Sequence, residues 1–134
     1  MTDLTIGKVA REAGVNVETI RFYERRGLIE QPPRPDRSFR QYSSEHIMRV
    51  RFIRQAQALG FSLQEIADLL ELRADSSSNC GDVHSRATAK KEEVRGKIEK
   101  LKRIEKALDK LIAECPQKGE IGRCPILSAL DGEK

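Results

Sequence analysis

Three cysteines, Cys80, Cys115 and Cys124, are the residues of this chain best suited to chemistry, and they are its only cysteines. Two precede proline, as Cys115-Pro116 and Cys124-Pro125. An odd count without a secretion signal argues against a disulfide framework and for thiolate chemistry, either metal binding or redox sensing. Soft sulfur ligands select thiophilic ions. A structural zinc site wants four Cys or His ligands at short spacing, and the segment Pro116–Arg123 contains neither type. Its glycines, Gly119 and Gly122, let it curl so that both sulfurs face one point, while Lys118 and Arg123 place positive charge beside the thiolates. A trigonal all-sulfur set suits mercury, lead or cadmium better than zinc. His84, one helical turn from Cys80, is either a further ligand or, the reading preferred here, an exposed helix residue. Small buried core residues are the duller role for the cysteines, but Cys-Pro repeated in a polar loop is poor core material.

The elements that must position these thiols can be read along the chain. Thr5 caps a helix over Ile6–Ala13, whose Ile6, Val9, Ala10 and Ala13 share one face, and Gly14 stops it. Asn16 caps a second helix, Val17 to about Arg26, followed by Gly27. Two short helices joined by so tight a turn form a helix-turn-helix, with the second as recognition helix. Three prolines exclude helix over 32–35, and Arg37–Tyr42 alternates polar and aromatic residues, which predicts a small hairpin wing. A third helix, capped by Ser43 or Ser44, buries Ile47, Val50, Ile53 and Ala56 and ends at Gly60. The capping box Ser62-Leu-Gln-Glu65 opens a fourth, with Leu63, Ile66, Ala67 and Leu70 facing a core.

From Asp82, read as a cap, the chain runs to Glu114 with Gly96 as its one helix breaker. Val94, Leu101, Ile104, Leu108 and Leu111 fall on a and d positions of a coiled coil, Lys97 interrupts one d position, and Ile98 and Ile112 widen the stripe. One polar helix cannot bury that stripe alone, so a second copy must cover it, as a homodimer. The stretch Val83–Ala113 holds 31 residues, about 46 Å of helix at ~1.5 Å per residue. Cys80 and Cys115 of one chain therefore cannot share an ion. If the two helices run antiparallel, the partner's Cys80 comes beside Cys115 and Cys124, giving two intersubunit sites per dimer.

Charge is placed as well as counted. Between Arg21 and Arg54 lie nine arginines, no lysine and four acids; the planar guanidinium fork suits phosphate and base edges. This favours a nucleic-acid partner over a merely solvated surface. The first residues lack the basic and apolar runs of a signal peptide, and no apolar run approaches the ~20 residues of a membrane span. A cytoplasmic protein without a membrane partner is expected. No nucleophile, cofactor loop or paired carboxylates surround His46 or His84, so an enzyme is not expected.

The motifs Ile6-Gly-Lys-Val-Ala-x-x-Ala-Gly-Val15, Thr19-Ile-Arg-Phe-Tyr-Glu-Arg-Arg-Gly-Leu28, Arg37-x-x-Arg40-x-Tyr42 and Leu59-Gly-Phe-Ser-Leu-x-Glu-Ile66 resemble those of MerR-family transcriptional regulators, over nearly the whole chain. The resemblance extends to the family's metal-sensing branch, and within it to the mercuric-resistance regulators, which carry one cysteine before the dimerisation helix and two Cys-Pro cysteines after it. Copper and silver sensors lack the first of these. Zinc sensors add a cysteine beside the second and a loop histidine, where this chain has Pro116 and no loop histidine. Lead and cadmium sensors usually have a shorter loop.

The resemblance implies a mainly α fold. Residues 1–74 would form a winged helix-turn-helix DNA-binding domain, 75–81 a linker loop carrying Cys80, 82–114 a long antiparallel coiled-coil dimerisation helix, and 115–134 a metal-binding loop with a short helix. It implies one Hg(II) per site, held by Cys115, Cys124 and the Cys80 of the other protomer. It further implies binding to a dyad in promoter DNA with RNA polymerase, repression without metal, and activation with Hg(II) through distortion of the promoter spacer. Thr19, Arg21 and Tyr23 carry over as recognition-helix contacts, Tyr23 alternatively packing the wing; Arg37, Arg40 and Tyr42 carry over as wing contacts. A sensor of cadmium, lead or zinc, or a thiol-redox transcription factor, remains the alternative.

Overall fold

The computed structural model describes residues 4–34 and 40–132. It contains six α-helices among these residues: α1 Ile6–Ala13, α2 Val17–Arg25, α3 Ser44–Ala58, α4 Leu63–Ala74, α5 Cys80–Glu114 and α6 Pro125–Leu130, with a 3-10 turn at Ile121–Arg123. The chain divides into two compact units between Val83 and His84.

In the first unit the caps set the helix boundaries. The Thr5 hydroxyl accepts from Lys8 N at 3.2 Å and the Asn16 side chain accepts from Thr19 N at 2.8 Å, filling donors that a first helical turn leaves open. Gly14 ends α1 at φ 73°, a left-handed conformation suited to glycine, and Val15 N then reaches Ala10 O at 2.9 Å. This turn delivers α2 within three residues of α1. At α4, Ser62 and Glu65 exchange hydrogen bonds of 2.7 and 3.1 Å in the expected capping box. Helix α3 uses a variant: Ser43 N–H donates to His46 Nδ1 at 3.1 Å, the imidazole standing where Glu or Gln is usual.

α1 packs on α2 and α3, and α4 packs on α3. Between them Val9, Ile20, Val50, Ile53 and Ile66 are fully buried, each worth about 1.5–3 kcal/mol by removal from water. Ile6, Val17, Ile47, Leu63, Ala67 and Leu70 close the cluster at its edge, as their helical spacing predicts. Leu28, Ile29 and Tyr42 join it from outside the helices. Of the hairpin wing expected over Arg37–Tyr42, residues 37–39 lie outside the described ones. What is described of it pairs elsewhere: Tyr42 forms a single antiparallel bridge with Leu4, its N–H donating to Leu4 O at 2.7 Å.

Helix α5 begins at Cys80, earlier than the cap reading of Asp82 predicts. Asn79 is the residue that caps it. Asn79 N–H donates to Asp82 Oδ2 at 2.9 Å and Asp82 N–H donates to Asn79 Oδ1 at 3.3 Å, a reciprocal box with Asp82 in its third position. Cys80 is thus in the first helical turn, not in a linker loop. Gly81 makes room for the cap, since a Cβ there would lie 2.8 Å from Asn79 Oδ1.

In the second unit, α5 carries its apolar stripe in the open. Val94, Ile98, Leu101, Ile104, Leu108 and Ile112 are all exposed. Pro116 ends the helix, and Gln117 at φ 63° and Gly119 at φ 115° turn the chain back into the 3-10 turn and α6, which has Pro125 at its start.

Candidate metal and nucleic-acid sites

Cys115 and Cys124 are brought together by the punctuation around them. Cys115 N–H closes the last turn of α5 on Ile112 O at 3.2 Å, and Cys124 N–H closes the 3-10 turn on Ile121 O at 3.2 Å. Cys124 O in turn accepts from Ser128 N at 3.0 Å, which starts α6. Both cysteines line one cavity of about 560 Å³, together with Lys118, Glu120 and Arg123. They are half-buried free thiols, while Cys80 is an exposed one. The structure therefore groups two of the three predicted ligands. Cys80 stands at the opposite end of the 35-residue helix α5. Among the described residues no three of His, Cys, Asp and Glu are close enough to hold an ion. The donor set in the cavity, two soft sulfurs and no histidine, fits a thiophilic cation.

The recognition helix α2 presents Glu18, Arg21, Phe22, Arg25 and Arg26 outward, with Arg26 stacked 5.8 Å from the Phe22 ring centre. The six predicted DNA-contact residues fall into different settings. Arg21 is exposed, 4.0 Å from Glu18 in a surface ion pair. Thr19 is tied into the cap, its hydroxyl donating to Asn16 Oδ1 at 2.9 Å. Tyr23 is buried and donates to Gln57 Oε1 of α3 at 2.8 Å; burial raises its pKa, partly offset by Arg54. Tyr42 is buried as well and donates to Glu24 Oε2 of α2 at 2.8 Å. Burial first, and the Glu24 hydrogen bond and charge second, push its pKa up to about 12. Both tyrosines thus fasten the recognition helix rather than face outward. Arg37 lies outside the described residues.

Arg40 is the most telling of the six. Its Nε is enclosed and has no hydrogen-bond partner among the described residues. It lines a depression of about 270 Å³ with Arg21, Arg34, Gln31, Thr5 and Tyr42. Three guanidinium groups thus line one hollow, a concentration of positive charge and of donors whose chemistry matches an anion.

Counting arginines overstates that surface. Arg51 Nη2 donates to Glu12 O at 2.9 Å, Arg54 Nη1 to Gly14 O at 2.7 Å, and Arg49 Nη1 to Leu28 O at 3.4 Å. These α3 side chains satisfy carbonyls left open where α1 and α2 end. The α3 arginines lie within the charge run that pointed to nucleic acid, and their i, i+2, i+5 placement on one helix carries no signal of this use.

Residues 4–72 match the family described as MerR HTH family regulatory protein, and residues 47–111 match a second family description, MerR, DNA binding. A mercuric resistance operon regulatory protein of Serratia marcescens is 46% identical over 134 residues, which is 100% of this chain and 92% of that protein. Among solved structures, the transcription regulator PbrR691 from Ralstonia metallidurans CH34 in complex with lead(II) is similar at TM-score 0.85 and 35% identity, covering 95% of this chain and 98% of that one. The dual function transcriptional regulator MerR from Bacillus megaterium MB1 in complex with mercury(II) is similar at TM-score 0.72 and 39% identity, covering 96% and 99%.

Proposed function

Because the chain belongs to the MerR family of helix-turn-helix regulatory proteins, we infer that it is a mercury(II)-responsive regulator of a mercuric-resistance operon, one that binds promoter DNA as a homodimer. One observation carries this reading most directly. Cys115 and Cys124 share a cavity free of histidine, and the third thiol, Cys80, begins the helix that ends just before them. A second copy running antiparallel completes a three-thiolate set at each end of the paired α5 helices, using Cys80 of the other protomer. The exposed stripe from Val94 to Ile112 supports such a pairing. The Serratia relative, named for mercuric resistance, supports mercury as the effector. Lead(II) is the second reading, favoured by the likeness to the lead-bound regulator.

In this reading a bound thiophilic cation supplies one thing, a link between the end of one α5 and the start of the other. The protein does the rest. Cys80 sits in the first turn of α5, on the rigid box made by Asn79 and Asp82, so drawing it toward the partner's loop biases the DNA-binding heads between two settings. Each head offers α2 to the major groove, with Arg21 as the exposed candidate contact and Thr19 at the helix start. Arg34 and Arg40 hold phosphate beside it, while Tyr23 and Tyr42 keep α2 in place. Without metal the dimer represses; with metal it distorts the promoter spacer so that RNA polymerase, its cytoplasmic partner, can use it.

The test is a mixed dimer with Cys80→Ser in one protomer and Cys115→Ser in the other. Expected are one mercury bound per dimer instead of two, and transcription in the order mercury over lead and cadmium over zinc. A mixed dimer with no intact site would remove the intersubunit assignment.

A further inference from the structure

His46 does more than stand in for the usual Glu or Gln in the cap of α3. Ser43 N–H donates to its Nδ1 at 3.1 Å, and its Nε2 lies 3.1 Å from Glu30 O. A backbone N–H can only donate, and a carbonyl oxygen can only accept. Nδ1 therefore holds the lone pair and Nε2 the hydrogen, so the two contacts together require one neutral tautomer. The Ser43 hydroxyl, 3.0 Å from Nδ1, is a second donor to the same lone pair.

The two backbone groups so joined stand on either side of residues 31–42. One imidazole thus closes the base of the segment that carries Arg34 and Arg40, which line a hollow with Arg21 of α2. The ring also stacks edge-on with Tyr42, centroids 4.9 Å apart at 76°, and Tyr42 in turn holds α2 through Glu24. The charged groups around the imidazole are Glu30, which follows α2, and Glu45 and Arg49 of α3. They share a depression of about 130 Å³ with it. Tyr42, its pKa pushed up to about 12, keeps its proton throughout the range in which a histidine changes charge.

We propose that His46 is a positioning residue for DNA binding: its neutral imidazole clamps residue 30 to residue 43 and so holds Arg34 and Arg40 beside the recognition helix. The proposal rests on the DNA-binding reading above. Imidazole is the side chain that gains a proton between pH 8 and pH 5. A proton on Nδ1 takes up the lone pair and turns Ser43 N–H from a partner into an opposed donor. The Ser43 hydroxyl can rotate to accept from the charged ring, but the backbone N–H cannot. The clamp then opens at its Ser43 end while Nε2–H still reaches Glu30 O. Charge alone predicts the opposite sign, because an added positive charge strengthens the attraction to phosphate. Acid therefore separates the two effects.

Wild type, His46→Gln and His46→Ala are titrated without metal into two fluorescent duplexes, one carrying a mercuric-resistance promoter dyad and one a scrambled sequence of equal length. Anisotropy is read from about pH 8 to about pH 5.5, and ring nitrogen chemical shifts are recorded on the free protein. Wild type should show the Nε2–H tautomer at the upper pH and bind the dyad about fivefold more weakly at the lower one. His46→Gln keeps an acceptor and a donor but gains no proton in this range; it should match wild type at the upper pH and stay level. His46→Ala should be about fivefold weaker throughout. Wild-type affinity that holds or rises in acid would overturn the proposal, as would a decline shared by His46→Gln. An Nδ1–H ring, or His46→Ala binding like wild type, would overturn it too. The underlying reading fails separately: wild type with the expected tautomer that binds neither duplex at any pH would remove DNA binding, and the role of His46 with it.

Discussion

Ile20, Ile53 and Ile66 in the unit up to Val83 are fully buried, whereas Leu101, Leu108 and Ile112 in the unit from His84 are each more than half exposed. Both sets lie on amphipathic helices, so helical periodicity alone does not separate them. The difference is in what surrounds each helix. The first unit folds α1, α2 and α4 around α3 and satisfies its own loose ends, down to the arginines that seal the helix termini. The second contributes one long helix and a short tail, and its apolar stripe meets only solvent within the chain. The first is finished as a monomer; the second is half of something. Under the function proposed above a sensor gains from that division, since the part that must keep its shape on DNA is separate from the part whose state depends on a partner and an ion.

Breaking the second unit should have the largest effect. Leu108→Asp puts a charge in the stripe of both copies and should cost about 2–5 kcal/mol per site, turning the dimer into monomers in sedimentation at micromolar concentration. Thermal unfolding of the first unit should be unchanged. A dimer that survives this change would mean the stripe is not the seam.

A contrast within the first unit comes next. Arg51→Ala frees Glu12 O and should lower stability by about 1–2 kcal/mol, leaving the salt dependence of DNA binding as it was. Arg40→Ala should leave the melting temperature nearly unchanged and reduce the slope of log affinity against log salt by about one. If the two variants behave alike, the division of arginines between sealing helices and holding phosphate is wrong.

The smallest effect belongs to Tyr42→Phe, which should cost about 1 kcal/mol at neutral pH by stranding Glu24. Its signature is in alkali. The folded pKa is raised to about 12, above the ~10 of an exposed phenol, so between those values the folded state keeps a proton that the unfolded state loses. Tyr42 therefore favours the fold fully below about pH 10, and that contribution is lost as pH rises toward 12. The variant's melting temperature should decline less steeply than wild type's across that window.

The helices of the first unit were legible because their signals are local: Thr5, Asn16 and Ser62 cap where they stand, and Gly14 can take the left-handed turn. The start of α5 was misread since Asn79 and Asp82 are both good caps, and only their reciprocal bonding decides which is first. His46 in the cap of α3 escaped a rule that looks for Glu or Gln. The roles of Tyr23, Tyr42, Arg51 and Arg54 were out of reach, because each is settled by a partner 18 to 40 residues away. The turn at Gln117–Gly119 leaves Cys115 and Cys124 lining one cavity, which the glycines and prolines of that segment made legible. In the proposed reading the third thiol comes from a second copy, which one chain's sequence can imply only through helix length.

Helix α5 runs unbroken from Cys80 through the whole stripe, which makes it a ruler of angle as well as of length. Each added residue turns what precedes it by about 100°. One residue inserted between Ile98 and Leu108 would turn Val94 and Ile98 away from the face that Leu108 and Ile112 share, with every side chain intact. Seven would return them to within about 20°. Composition off the stripe leaves that register alone, whereas a change in length resets it unless the added residues make up nearly whole turns.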